Sequence, residues 1–184
     1  MIENPKILDL ELWLDKDIIL RQNRLKAVFW EVLSEVGNAV DSTTLSQIHA
    51  PSRGIKLTKG NDLLGFPYQV LDLIRDFDPS TGLNIRILNW FGHGLFLFIL
   101  LGRQHQKSPF LKLSEHNWSL DQSSSPWDYP EILLNDASVI SPSDELLEKS
   151  SFYQWHKSIS ISKGTVSVES TILDELKKLI FLLS

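Results

Sequence analysis

The stretch that decides the fold runs from Leu83 to Leu101 and reads LNIRILNWFGHGLFLFILL. Its first half alternates between two sets of side chains, as the two faces of a β-strand require. One set is Leu83, Ile85, Ile87, Asn89 and Phe91, and the other is Asn84, Arg86, Leu88 and Trp90. A Gly-His-Gly connection at residues 92–94 then leads into a nearly all-apolar strand from Leu95 to Leu101. We therefore predict an antiparallel hairpin over residues 83–101.

Further strands are predicted on both sides of this hairpin. A period of two begins at Ile55, and Tyr68 to Ile74 is rich in residues that favour strands, with a helix over Val70 to Arg75 as the alternative. Residues 76–82 form a turn by composition, since Asp, Pro and Gly dominate them. After the hairpin, alternation returns from Phe152 to Ser162, which predicts another strand.

Two amphipathic helices flank the strands in the sequence. Apolar residues recur at helical spacing from Asp17 to Gly37 and again from Glu169 to Leu183. The apolar stripe of the first helix consists of Ile18, Leu25, Val28, Phe29, Val32, Leu33 and Val36. The predicted fold class is α+β, with an antiparallel sheet centred on residues 83–101 packed with the N-terminal and C-terminal helices. We predict that residues 1–184 form a single domain.

The segment from about residue 114 to 142 is predicted to be long, irregular and acidic. No Lys or Arg occurs between Lys112 and Lys149. Acidic charge interleaved with aromatic side chains suits the docking of a basic protein partner, because charge steers the encounter and aromatic groups anchor it. The candidate binding residues are Trp118, Trp127, Tyr129, Asp121 and Asp128. The alternative is a loop whose tryptophans fold back to cover the core.

The candidate catalytic residues are His93, Asp72, Asp76 and Arg86. His93 lies between two glycines at the hairpin tip, where the backbone can approach a ligand closely. Two nearby carboxylates can perform acid–base work. These residues predict a polar site near the hairpin, as in a hydrolase or a small-ligand-binding protein. The alternatives are an exposed turn histidine and a solvated acidic turn.

Several classes of chemistry are excluded by composition. The chain has 184 residues, a net charge of −5 and no cysteine, which removes disulfides, thiolate nucleophiles and Cys-ligated metal centres. No two histidines stand three or four residues apart, so we predict no metal site. The sequence also lacks a glycine-rich phosphate loop, and we predict no cofactor. Basic residues are scattered, which argues against nucleic-acid binding.

The termini and apolar runs bear on location and assembly. Five acidic residues among the first twenty argue against a signal peptide, and Leu95 to Leu101 is too short to cross a membrane. We therefore predict a soluble, cytoplasmic protein without membrane contact. The apolar end Phe181-Leu182-Leu183 docks either on the chain's own core or on a second copy, and the second option predicts a homo-oligomer through the C-terminal helix.

Two functions follow from these patterns. The favoured one is a noncatalytic protein-binding or regulatory domain that uses the acidic aromatic loop. The alternative is a hydrolase or small-ligand-binding protein with its polar site near the hairpin. The sequence leaves open whether the chain is an enzyme.

Overall fold

The computed structural model describes residues 8–105, 108–135, 138–161 and 167–183. Seven helices lie within these residues: α1 (Leu10–Leu14), α2 (Lys16–Ala39), α3 (Ser42–Ile48), α4 (Ser108–Glu115), α5 (Tyr129–Leu134), α6 (Asp144–Lys149) and α7 (Val168–Leu183). The same residues form seven strands: β1 (Lys56–Leu63), β2 (Phe66–Arg75), β3 (Leu83–Trp90), β4 (Gly94–Gly102), β5 (Ser119–Asp121), β6 (Ser138–Val139) and β7 (Phe152–Ile159). The predicted α+β class is therefore confirmed.

The strands form one antiparallel sheet in the order β1-β2-β3-β4-β7-β5-β6. The predicted hairpin is β3–β4, whose register runs from Leu83 opposite Leu101 to Trp90 opposite Gly94. Its turn requires glycine, because Gly92 has φ +86° and a Cβ there would approach the ring of Phe66 to 3.0 Å. This hairpin lies inside the sheet, between β2 and β7.

Each face of the sheet has its own hydrophobic cluster. Helices α2, α4 and α7 cover the first face, and the larger cluster lies there. It includes Leu71, Ile87, Leu97 and Trp155 from the strands, with Val36, Phe110 and Leu176 from the helices. Helix α5 covers the second face, where the smaller cluster contains Val70, Leu88, Trp90, Phe98, Tyr129 and Ile132. The candidate residues of the sequence analysis mostly lie on this second face.

A β-bulge in β2 sets which side chains reach the second face. Asp72 lies opposite Arg86, whereas Ile74 lies opposite Ile85, so Leu73 has no partner on β3. The extra residue turns both Leu73 and Ile74 toward the larger cluster. Asp72 stays on the second face directly beside Arg86.

The segment of residues 114–142 has more regular structure than its composition predicts. It contains β5, α5 and β6, and β5 pairs with β7. Pro130, which suggests a break, lies in the first turn of α5, where a proline is tolerated because its missing N–H has no helical acceptor. Asp128 caps this helix by accepting a hydrogen bond from the Glu131 amide.

Helix α2 differs from the prediction in its first half. Leu33 and Val36 are buried, as the apolar stripe predicts, but Ile18, Leu25 and Val28 are exposed. The stripe is continuous in sequence, yet the sheet and α7 cover only its C-terminal part. None of the described helices is both long enough and apolar enough to span a membrane.

Candidate functional site

A buried ion pair lies at the centre of the second face. Arg86 binds Asp72 through two parallel hydrogen bonds, Nε to Oδ1 at 2.7 Å and Nη2 to Oδ2 at 3.0 Å. Asn84 donates to the same carboxylate and to the carbonyl of Ile74. Burial acts to lower the pKa of Arg86, but the hydrogen bond and charge of Asp72 oppose it, and the net direction is upward. The guanidinium is therefore held as a cation inside the fold.

Three aromatic rings enclose this guanidinium. The Tyr129 hydroxyl is hydrogen-bonded to Nη1 of Arg86, and the Tyr129 ring packs 5.1 Å from that of Phe98. The central carbon of the guanidinium lies 5.0 Å from the ring centroid of Trp127 and 5.9 Å from that of Phe77. Burial raises the pKa of the Tyr129 hydroxyl, so this group is protonated at neutral pH. The ion pair thus fixes the loop before α5 to the sheet through cation–π and hydrogen-bond contacts.

Two of the predicted binding residues are internal. Trp118 is 2% exposed and belongs to the larger cluster. Asp121 accepts hydrogen bonds from the backbone and hydroxyl of Ser123 and from Gln154, and burial raises the pKa of its carboxyl group. Both side chains hold the acidic segment against the body of the protein.

The remaining predicted binding residues differ in exposure. Tyr129 is 7% exposed, whereas Trp127 is 47% exposed. Trp127 makes an edge-to-face contact with the half-exposed Phe77, with ring centroids 5.3 Å apart. Asp128 is exposed beside Trp127. Of the five candidate binding residues, Trp127 and Asp128 are therefore exposed, whereas Trp118, Asp121 and Tyr129 are buried.

The candidate catalytic residues are not all brought together. Asp72 and Arg86 form the buried pair, while the Asp76 carboxylate lies 2.7 Å from Nε2 of His49. His93 stacks on Trp90 with ring centroids 3.7 Å apart and meets Phe66 edge to face. Along β3, Trp90 is four residues from Arg86, a separation of roughly 13 Å at the rise of a strand. His93 therefore lies at the hairpin, apart from the ion pair.

A cleft lies between the turn that carries Asp76 and the loop that carries Trp127. It has a volume of about 240 Å³, and its lining includes Asp76, Phe77, Asp78, Pro126, Trp127 and Phe152. Asp78 orders the turn at its mouth by accepting hydrogen bonds from the amides of Ser80 and Thr81, which lower the pKa of its carboxyl group. A lining that is mostly apolar and includes two aspartates suits a side chain that has an aliphatic stem and a cationic end.

Sequence reasoning missed two residues of this region, Phe77 and His49. A large apolar residue inside an Asp- and Pro-rich turn was a usable signal for Phe77, because turns of that composition rarely need one. His49 is 27 residues from Asp76 in the sequence, so no local pattern could link them. Within residues 8–105, 108–135, 138–161 and 167–183, no group of three or more His, Asp and Glu side chains is placed to bind a metal ion.

No protein-family model, curated protein sequence or solved structure matches this chain. Trp127, Phe77 and the surrounding carboxylates form the candidate site.

Proposed function

We propose that the chain is a noncatalytic protein-binding domain that holds a basic partner at the Trp127–Phe77 patch. The observation that carries the proposal is the exposure of Trp127. Its side chain is half exposed, although its ring also contacts the guanidinium of Arg86. Aromatic residues of this kind dominate binding energy at protein interfaces. A fixed ring also loses little conformational freedom on binding, which favours affinity.

The charge around the patch supports a basic partner. Asp78 and Asp128 are exposed on the two loops that carry the patch. The described part of the segment between Lys112 and Lys149 adds further carboxylates, and no Lys or Arg of that segment opposes them. Opposite charge accelerates encounter and orients the partner. A lysine or arginine of the partner fits the cleft beside Trp127, with its stem on the apolar lining and its charge near Asp76 and Asp78.

Point substitutions test this proposal better than a deletion, because Trp118 and Tyr129 are buried and removing the loop would remove core side chains. We expect Trp127→Ala and Phe77→Ala to lose partner proteins that wild type recovers from cells of origin. Leu111→Ala is the matched control, since Leu111 is 70% exposed on α4 and lies outside the patch. Recovered partners should carry basic surfaces, and recovery should fall with added salt.

The result that contradicts the proposal is equal recovery of every partner by wild type, both patch variants and the control. Thermal melts of each variant show whether its fold is intact. Trp127 and Phe77 are 47% and 38% exposed, so each truncation also removes covered area, and we expect a modest fall in melting temperature with the cooperative transition retained.

A small-ligand-binding protein or hydrolase is the second candidate, and the Asp76–His49 pair favours it. A carboxylate hydrogen-bonded to an imidazole orients that ring and supports its action as a base. Asp76 also lines the cleft. Under this proposal, His49→Gln abolishes hydrolysis of a panel of small esters, whereas Trp127→Ala reduces it only through ligand binding. Absence of turnover by wild type on the whole panel counts against the hydrolase.

A further inference from the structure

The N-terminal arm, which we define as residues 8–25, is exposed along almost its whole length. It consists of α1 and the first ten residues of α2, and every residue in it is exposed except the half-buried Asp15. Nine of its side chains are large and apolar: Leu8, Leu10, Leu12, Trp13, Leu14, Ile18, Ile19, Leu20 and Leu25. Trp13 is 70% exposed and Leu25 is 50% exposed.

The arm exposes much apolar area. A leucine-sized side chain carries on the order of 100 Å², by the ratio of its burial energy to the energy per unit area. Nine such side chains, each about half exposed, present roughly 500 Å² in total. Ile18, Ile19 and Leu20 point to different sides of α2, whereas the exposed Ile18, Leu25 and Val28 lie within about 80° and form the face that can meet a second helix.

The charges beside the apolar stripe of α2 are divided along the helix. Arg21 and Arg24 lie toward its N-terminal end, Glu31 and Glu35 lie toward its C-terminal end, and all four are exposed. Asp17, in the first turn, is also exposed on this side of the helix. At 100° per residue, the four fall within about 80° of one another around the helix axis. A second α2 placed parallel would set like charges side by side, whereas an antiparallel one sets opposite charges side by side.

One antiparallel register satisfies both the charges and the apolar stripe. A two-fold axis between Ala27 and Val28 puts Arg24 level with Glu31 of the second copy, at a rise of 1.5 Å per residue. Arg21 then lies within about 1.5 Å of the level of the second copy's Glu35. Measured along the helix axis, Leu25 lies midway between Val28 and Val32 of the second copy, so its side chain can pack between theirs in the knobs-into-holes manner.

The same register brings the start of α2, where α1 joins it, beside an apolar groove. Lys16, the first residue of α2, lies about 17 Å from the axis, and so does Ala39 of the second copy, the residue before Val40. Val40 belongs to a groove of about 380 Å³ between the end of α2 and α7. Its apolar lining includes Ala39, Leu173, Ile180 and Phe181, the last of which is 79% exposed. Each arm therefore has an apolar surface to cover on the other copy.

We infer that the chain forms a two-fold dimer in which the α2 helices pair antiparallel and each N-terminal arm covers the α2–α7 groove of the other copy. The occupant of the arm's apolar face is a second copy of this chain. The interface lies on residues other than the Trp127–Phe77 patch, so this dimer and the proposed partner binding are separate properties.

Sedimentation of the full chain over about 1 to 100 µM, the range in which interfaces of this area commonly associate, tests the dimer. We expect twice the mass of one chain at the upper end. Leu25→Glu should raise the dimer dissociation constant by at least about tenfold, as expected for a central apolar residue. Leu111→Glu, at a leucine on α4 that is 70% exposed, should leave it unchanged.

A charge swap tests the register without touching the apolar contacts. Arg24→Glu and Glu31→Arg should each weaken the dimer by roughly tenfold, because two-fold symmetry makes each change act twice. The double variant R24E/E31R should restore the wild-type constant. A wild type that sediments as one chain throughout the range overturns the dimer. A dimer broken by Phe181→Glu but unchanged by Leu25→Glu, or a double variant no tighter than the singles, overturns this interface.

Discussion

At the scale of single residues, the second face depends on compensation of one buried charge. Arg86 is the cation at its centre, and Asp72 is the carboxylate that faces it, with a side chain only 5% exposed. Because Asn84 and Tyr129 complete the hydrogen bonds, the pair leaves few polar groups unsatisfied. A buried pair of this kind adds little net stability compared with apolar residues, but the loss of one partner leaves a buried charge without compensation.

Asp72→Ala is therefore predicted to destabilise the protein by about 3–5 kcal/mol, measured by urea denaturation. The matched control is Asp174→Ala, which removes an ion pair with Lys177 whose side chains are 63% and 74% exposed. That exposed pair should contribute less than about 1 kcal/mol. A loss below about 1 kcal/mol for Asp72→Ala would mean that water reaches Arg86 when its partner is absent.

His156 makes stability depend on pH. It lies opposite Phe98 in the sheet, its Nε2 is buried without a hydrogen-bond partner, and burial lowers its pKa to about 4. The unfolded chain, with an ordinary histidine pKa near 6.5, binds the proton first as pH falls. Stability is therefore full above about pH 6.5 and is lost as the pH falls toward 4, by up to about 3 kcal/mol.

Comparison of His156→Gln with wild type isolates this effect. Burial raises the pKa of Asp121, which makes stability change in the opposite direction over part of the same range. Asp121 is present in both proteins, so its contribution cancels when the two are compared. The unfolding free energy is measured at pH 7.5, about one unit above the ordinary histidine pKa, and at pH 4.5, near the folded pKa of His156. The change between the two pH values should differ between the proteins by the contribution of His156. The exposed His116→Gln should follow wild type, and a variant with unchanged pH dependence would refute the prediction.

At the scale of elements, the sequence predicts correctly those helices and strands whose local pattern agrees with their burial in the fold. The β3–β4 hairpin and α7 were predicted because their periodicity and their end residues indicate the same structure. Strand β7 was also predicted, with His156 and Trp155 on opposite faces by alternation; Trp155 lies in the larger cluster and His156 packs near Phe98. In these elements, local pattern and tertiary burial agree.

The elements that escaped prediction depend on distant partners. Strand β5 has three residues and is stabilised by pairing with β7, more than thirty residues away. Helix α5 has six residues and is held by Tyr129 and Ile132 in the smaller cluster. The burial of Asp72 against Arg86 depends on the bulge at Leu73, which the alternation of the sequence does not reveal. The ion pair at the candidate site was therefore composed of predicted residues in an unpredicted arrangement.

At the scale of the whole molecule, the two hydrophobic clusters share one sheet. Strands β2, β3 and β4 contribute side chains to both clusters, so loss of packing on either face removes support from the same strands. We therefore predict one cooperative unfolding transition for the two faces. Trp90 on the second face and Trp155 on the first are both fully buried and can report each side separately.

Fluorine-labelled tryptophan gives one resonance for each side chain, and Trp90→Phe and Trp155→Phe assign the two reporters. Their native signals should disappear at the same urea concentration, whereas Trp127, whose ring is half exposed, should show a smaller change in chemical shift. All samples need one protein concentration, because association adds stability by mass action. If the Trp90 signal is lost at clearly lower urea than the Trp155 signal, α5 and its cluster unfold separately from the helical face, and the shared strands do not couple the two sides.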